Sequence, residues 1–561
     1  MMHMYMKTSK YILVLAVVLS ISYVTVAAQG VYKAWEVRYN GTGSGRDFTE
    51  GFTIDEDGFL YICGASSGPG NGFDYQRLDY ATVKLTQQGD TVWTRRYNGS
   101  ANGVDYATDV SVDKNGYVYV TGFSKSVETG HDYFTIKYSS TGDTLWTRRY
   151  DGFGSDDEAY ALAVDDSGNI YITGFSFGQG TGADFLTLKY SSLGELLWIK
   201  RYTGPGSDWD QPFSITLGDS GAIYVAGRSK RRITYEYDWD FTVIKYTSNG
   251  DTLWVRFYDG PSHYREDPPF IIRDNRGFIY ITGTSFDSVS SADFTTLKFT
   301  PNGDSIWVKR YDSPLHGYDI VSDIAVDSGG NVYVTGFGNG DYSDGIYYNT
   351  VKYDSSGNLL WVKRHGSGFS KPNSIVVDRE QNAYVTGSSN EGTMDYLTVK
   401  YKLDGSIEWT EKYNGPDSFS DGATFLLLDN EVNIFVCGNS QGAYSQEDFT
   451  IIKYAQNVTA VRDEKSSLPF NLSLSQNYPN PFNPATTISF SLHTTGFVSL
   501  EIFNILGQKV KTLVGENLTA GYKQITWDGT NQLGQSVSSG TYFYRLKTEN
   551  FSETKKMVLM K

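Results

Sequence analysis

The feature that most limits what this chain can fold into is a motif returning about every fifty residues. Eight tryptophans, Trp35, Trp93, Trp146, Trp198, Trp254, Trp307, Trp361 and Trp409, stand at corresponding places, 48 to 58 residues apart. The same grammar surrounds each. A first segment ends in Asp-x-x-Gly, at 55–58, 113–116, 165–168, 274–277 and 327–330, with Gly218, Asp378 and Asp429 marking degenerate copies. A second carries an aromatic (Tyr61, Tyr119, Tyr171, Tyr224, Tyr280, Tyr333, Tyr384 or Phe435) and ends in Gly or near it. A third reads Asp-[Phe/Tyr]-x-Thr-x-Lys or close to it, with Lys84, Lys137, Lys189, Lys245, Lys298, Lys352, Lys400 and Lys453. A fourth begins Gly-x-x-x-Trp and runs on to Arg-Tyr. Asp-x-x-Gly suits a tight hairpin, because Asp bonds the local backbone and Gly accepts a positive φ. Four short strands per unit at this period are the signature of a β-propeller.

The strand count has an offset. The array opens on a fourth strand, at Trp35, and closes on a third, from Phe449 to Tyr454. Pairing these two ends removes two exposed sheet edges. The expectation is an eight-bladed β-propeller over 31–454, the N-terminal strand completing the last blade. The units resemble the bacterial β-propeller repeat family (SBBP), whose core is Val-Asp-x-x-Gly-x-x-Tyr-Val-Thr-Gly. That resemblance implies a fold and no activity.

Composition agrees. Gly at 59, Tyr at 43 and aromatics at 15% fit many half-buried strands joined by turns. A net charge of −16 opposes a nucleic-acid partner. Residues 1–28 read as a signal peptide: Lys7 and Lys10, an apolar run from Tyr11 to Val26, then Ala27-Ala28. No later segment reads as a membrane span. Two cysteines, Cys63 and Cys437, occupy equivalent slots of the first and last blades. Equivalent side chains in neighbouring blades do not face each other, so two buried thiols are expected rather than a disulfide.

Residues 455–471 break the period and are polar, as in a linker. The remainder, 472–561, alternates in short strands and suggests a small β-sandwich. It carries Asn477-Tyr-Pro479-Asn480-Pro481-Phe482-Asn-Pro484, Gly507-Gln-Lys-Val510, Trp527-Asp-Gly529, Gly540-Thr-Tyr-Phe-Tyr544 and a terminal Lys555-Lys556-Met-Val-Leu559. These residues resemble the type A sorting domain of the type IX secretion system. The resemblance implies an Ig-like address tag, often removed, read at the outer membrane by the secretion machinery as partner. It implies a secreted or outer-surface location reached through the periplasm, and a signal that includes Asn477, Pro479, Asn480, Pro481, Phe482, Gly507, Lys555 and Lys556. The fold class expected is all-β: an eight-bladed propeller followed by a small Ig-like sandwich.

Chemistry belongs on one face. First-to-second and third-to-fourth turns are short and uniform. The connections on the opposite face vary, as at 66–78, 229–239 and 338–347, and recognition favours variable loops on a rigid scaffold. Eight positions before each Asp-x-x-Gly slot stand Asp47, Asp105, Asp157, Asp210, Glu266, Asp319, Ser370 and Asp421. Opening the innermost strands, the acids are expected around the mouth of a central channel. They could bind a cation or cationic ligand, or each could cap its own loop; recurrence in every blade favours capping. The third-strand acids Asp79, Asp132, Asp184, Asp240, Asp293, Asp395 and Asp448 invite the same two readings. The Arg-Tyr pairs could hold anions or pack across strands. Trp209, Trp239, Tyr235 and Tyr237 lie outside the repeat slots, where aromatics stack on sugar rings or pack loops. His365 holds a repeat slot otherwise taken by Tyr and reads as structural.

Gly142-Asp-Thr-Leu-Trp146 has the spacing of the tryptophan-docking motif of eight-bladed quinoprotein dehydrogenases, but the adjacent cysteine pair of those enzymes has no counterpart here. There is no Gly-x-Ser-x-Gly elbow, no His-Glu-x-x-His and no Cys-x-x-Cys. No cofactor, metal or catalytic residue is expected. The leading expectation is a secreted or surface propeller that binds a polysaccharide or protein. The alternatives are a polysaccharide hydrolase or lyase using loop carboxylates, and a surface-layer component.

Overall fold

The computed structural model describes residues 30–41, 45–68, 77–206, 208–231, 239–263, 265–287, 291–314, 316–339, 345–366, 368–390, 392–416, 420–442, 446–456, 473–474, 477, 480, 482–492, 495–519, 521–548 and 551–560. The expected signal peptide (1–28), most of the expected linker, the middles of the variable connections with Tyr235 and Tyr237, and Pro479 and Pro481 lie outside them. The chain divides into two units near residue 457.

In the first unit the repeat becomes four-stranded antiparallel sheets, each with its strands in chain order: 47–97, 105–150, 157–202, 210–258, 266–311, 319–365 and 368–413. An eighth four-stranded group is built from 421–456 and 31–39. We number these blades 1 to 8. Blades 6 and 7 also join through two parallel pairs, Gly345 with Gly368 and Ile346 with Phe369. The N-terminal strand Val31–Tyr39 runs antiparallel to Glu447–Gln456, with Trp35 opposite Lys453 and Tyr39 opposite Phe449. The first strand of each blade touches the first strand of the next, and Asp47–Ile54 touches Asp421–Leu428, so the first strands form the inner wall of a closed ring.

One row of side chains explains why the repeat keeps its lysine and tryptophan. In every blade the second-strand aromatic pairs with the third-strand lysine, which pairs with the fourth-strand tryptophan: Tyr61, Lys84 and Trp93 in blade 1, Tyr119, Lys137 and Trp146 in blade 2. The Lys Nζ sits 4.7–5.3 Å over the aromatic ring in all eight. It then reaches the next blade: Lys84 and Trp93 Nε1 both donate to the Ser140 carbonyl at 3.2 and 3.1 Å, and Lys137 and Trp146 to that of Ser192. Those carbonyls belong to third-to-fourth turns. A Cβ on Gly142 (φ +84°) would stand 2.9 Å from the Trp93 ring, so only glycine lets the turn lie flat on it.

The latch needs a substitute where the ring closes. Blade 8 has no third-to-fourth turn, and Lys400 and Trp409 of blade 7 donate instead to the side-chain Oε1 of Gln456, at 2.7 and 3.3 Å. Across the seam, Trp35 Nε1 donates to the Gln87 carbonyl of blade 1 at 3.1 Å. Between blades lie apolar clusters fed by both neighbours, such as Tyr61 and Cys63 against Val118, Val120 and Phe134. Cys63 and Cys437 are free and fully buried, and burial pushes the Cys63 thiol well up.

The second unit holds two sheets. One orders Ser473–Leu474, Thr486–Leu492 and Gly521–Trp527. The other orders Lys509–Leu518, Gly496–Asn504, Gly540–Lys547 and Ser552–Leu559. Alternation places Ile488, Phe490, Leu500, Ile502, Tyr544 and Leu546 in one buried cluster around Trp527. Asn480 and Phe482 are bonded to the final strand. Asn480 Oδ1 accepts from Val558 N–H at 2.8 Å, Phe482 N–H donates to the Val558 carbonyl at 2.9 Å, and the Phe482 ring lies 5.5 Å from Trp527. Asn477 N–H donates to Tyr544 Oη and its amide to Thr486 Oγ1. Gly507 (φ +74°) turns the 504–508 hairpin, and Lys555 and Lys556 lie on the last strand.

Candidate functional site

The first-strand acids are built into the blade junctions. Asp47, Asp105, Asp157, Asp210, Glu266, Asp319 and Asp421 are all no more than 1% exposed. Each accepts a backbone N–H from the connection just before it, from Gly41, Gly99, Gly152, Gly204, Gly260, Ser313 and Gly415, at 2.5–2.9 Å. Six face a second-strand serine in register, such as Ser124 opposite Asp105; opposite Asp319 stands Gly338, and Asn349 Nδ2 supplies the donor at 3.0 Å. Burial outweighs these donors and pushes the carboxyls up: Asp47, Asp157 and Asp319 to about 6, Asp210 to about 7 and Glu266 to about 9. Blade 7 has Ser370 in this slot, hydrogen-bonded to Ser389 at 2.8 Å.

The Arg-Tyr arginines hold the third-strand acids. Arg96 meets Asp79 at 2.8 Å, Arg149 meets Asp132 at 2.7 Å, Arg201 meets Asp184 at 2.9 Å and Arg310 meets Asp293 at 2.6 Å. The N-terminal strand's Arg38 serves Asp448 at 3.7 Å. Blade 4 has Phe257 in the arginine slot, and Arg231 from a preceding loop reaches Asp240 at 3.1 Å. The two sets of acids thus adjoin across blade junctions. In the groups Asp132, Asp151, Asp157 and Asp293, Asp312, Asp319, carboxylate oxygens lie within 4.8 Å of one another.

Every first strand is bulged at the same place, between Ala107 and Asp109 in blade 2 and between Val321 and Asp323 in blade 6. A bulge leaves N–H groups without ladder partners. Asp109 accepts from Val110 of its own strand and Leu162 of blade 3, both at 2.8 Å, and Asp323 does the same for Ile324 and Ile375 of blade 7. Desolvation inside the ring pushes Asp109 up to about 7 and Asp323 to about 6. Neither stood out in the sequence, because the other blades lack them.

The half-buried positions are the residues just after the acids, and they differ in every blade. Tyr106 stacks on Phe123 at 5.5 Å and donates to Glu50, while Phe123 lies 4.8 Å from His131. His131 Nδ1 is 3.1 Å from Glu158 Oε1, and Tyr160 donates to Glu158 Oε2 at 3.2 Å. Tyr160 stacks on Phe213 at 5.7 Å with rings 3° from parallel. Arg228 lies 5.6 Å over Phe213 and 4.5 Å over Trp239, donating to Gln211 Oε1 at 2.8 Å and Asp267 Oδ1 at 2.9 Å. Trp209 is 40% exposed and lies 5.4 Å from Phe177 and 6.5 Å from Phe175. Of the residues singled out in the sequence, Trp209 and Trp239 therefore flank one continuous aromatic and polar group over blades 2 to 5. Glu158, Tyr160, Gln211, Arg228 and Asp267 complete it. The sequence reading missed all five; Glu158, Tyr160, Gln211 and Asp267 stand an odd number of positions after an acidic slot, and that offset is the signal that could have found four of them.

Fold, repeat and latch define a β-propeller of four-stranded blades, and matches to known families agree. Residues 92–126, 145–176 and 361–392 match the β-propeller repeat family SBBP, and residues 476–560 match the secretion system C-terminal sorting domain. The chain is thus a β-propeller protein with a type IX sorting tail, which implies export to the cell surface or beyond. An uncharacterized WD repeat-containing protein, L264, of Acanthamoeba polyphaga mimivirus is 23% identical over 63% of this chain and 34% of its own length. The regulatory protein FlaEY of Caulobacter vibrioides is 27% identical over 30% of this chain and 18% of its own. The chain spans only about a third or less of the length of these relatives. Among solved structures, PorZ, a surface component of the type IX secretion system of Porphyromonas gingivalis, aligns at 12% identity over 92% of this chain and 74% of its own, with a TM-score of 0.34. Among the described residues no helix is long and apolar enough to cross a membrane.

Proposed function

We propose that this is an exported, non-enzymatic eight-bladed propeller that holds an extracellular ligand on the face of its variable connections. The observation that carries the reading is the group around Trp209 and Arg228: aromatic rings kept partly in water, on strands fixed by the ring, beside ordered polar side chains. The first-strand acids serve the scaffold that positions this group, and the Ig-like second unit directs export. Binding of the full chain to an array of bacterial and algal glycans, followed by assay of every hit for cleavage, tests it. Binding without product release is the expected result; product release sinks it. Deleting residues 472–561 should retain the protein in the periplasm, and surface delivery of the truncated chain would overturn the address reading.

A second reading, a polysaccharide hydrolase or lyase, is favoured by the hydrogen-bonded run His131, Glu158, Tyr160, since a positioned base and acid are what such cleavage requires. The same cleavage assay decides between the two.

A further inference from the structure

We infer that the surface carrying Trp209, Phe177 and Arg228 takes an uncharged polysaccharide, its pyranose rings lying on the aromatic faces. The inference rests on the binding reading above and names the ligand class of that site. Three observations carry it.

The aromatics are preorganised. Trp209 immediately precedes the strand Asp210–Leu217, and its carbonyl accepts Lys230 N–H at 3.2 Å. Phe177 stands in a hairpin, paired with Ala183. Neither has to be ordered on binding, so stacking area is not offset by entropy.

The cation is spent. Arg228 gives one Nη to Asp267 and its Nε and second Nη to Gln211, and burial pushes its pKa down. The described cations beside it are also paired, Lys230 with Asp208 at 2.6 Å and Arg231 with Asp240 at 3.1 Å, so among the described residues of this connection each cation already faces a carboxylate. The fork does hold the carboxamide and carboxylate oxygens in place, and these accept hydrogen bonds from sugar hydroxyls.

The field is wrong for an anion. A net charge of −16 repels polyanions at range and leaves a neutral chain unaffected. Stacking on an aromatic face carries much of the binding at such a surface, so losing one ring should weaken binding roughly tenfold.

The test is isothermal titration of the full chain with cellohexaose, xylohexaose, mannohexaose and laminarihexaose, and with alginate and heparin oligosaccharides as the anionic arm. At least one uncharged hexaose should bind, with an affinity unchanged between 50 mM and 500 mM salt. Trp209→Ala should lower it about tenfold or more while the melting temperature stays put; Phe177→Ala should act in the same direction. Salt-sensitive binding of the anionic chains alone overturns the inference, as does an affinity that Trp209→Ala leaves unchanged. Absence of binding by all six also overturns it. In that case export and its dependence on residues 472–561 still stand or fall separately, so the wider reading is tested apart.

Discussion

The two faces of the ring are built by opposite rules. On the face of the uniform turns, every blade repeats lysine over an aromatic, and nearly every blade adds lysine and tryptophan donors to its neighbour; in blade 4 Lys245 donates to Pro301 while Trp254 Nε1 does not. Even the seam keeps it, with Gln456 standing in for a missing carbonyl. On the other face, carboxylates cap seven of the eight connections from beneath, but what stands beside them changes from Tyr106 to Glu158 to Gln211 to Asp267. The lesson is a division of labour. A contact that closes a ring recurs from junction to junction, because each blade presents much the same surface to its neighbour. A surface that recognises a ligand must differ from blade to blade, because a ligand lies across only a few of them.

That contrast can be broken, starting with the largest effect. Deleting the strand Val31–Tyr39 removes both the partner of Glu447–Gln456 and the Trp35 latch, and leaves an open sheet edge. Calorimetry should show the cooperative transition lost or lowered by more than about 10 °C, given that a kcal/mol moves Tm by a few degrees in large domains. A deleted chain that melts like the full one would mean the seam does not close the ring. Trp307→Ala, which strips a latch contacting Tyr280 and Tyr353, should cost about 3–5 kcal/mol in urea unfolding. Asp105→Ala leaves Gly99 N–H uncapped in a fully buried junction and should cost about 1–3 kcal/mol by the same measurement.

The buried carboxyls make a pH prediction with a definite sign. Their folded-state values, about 6 for Asp47, Asp157 and Asp319 and about 7 for Asp210, lie above the ordinary value of 3.8. Between the two values the folded chain holds more protons than the unfolded one, so stability falls as pH rises through 6 to 7, and for Glu266 through about 9. Tm at pH 5 should exceed Tm at pH 8 at constant ionic strength; the reverse order would show that the capping N–H groups outweigh desolvation. The smallest effect belongs to the recognition face. Trp209→Ala should change stability by no more than about 0.5 kcal/mol, since the residue is partly in water and outside the latch. A larger loss would make Trp209 a packing residue and blur the distinction between the faces.

Particular residues show how far the sequence could be read. Lys84, Trp93 and their seven counterparts were legible because a repeat imposes one geometry on every copy, and the strand register pairs them row by row. The capping role of Asp105 was visible as one of two readings. Its burial was not, since whether a carboxylate meets water at a channel mouth or a neighbour's backbone depends on how closely adjacent blades approach. Asp109 and Asp323 were invisible, each serving a single junction. So was Arg228, which belongs to the site only because Phe213 and Asp267, distant in the chain, meet it.

Periodic placement of aromatic, lysine, tryptophan and Asp-x-x-Gly by itself determined a ring of four-stranded blades with its two chain ends paired, because local turns and strand alternation are encoded within each fifty-residue unit. The tertiary structure alone decided which acids are sealed into junctions and which side chains gather around Trp209. Those outcomes are set by the spacing between neighbouring sheets, a quantity no single repeat contains.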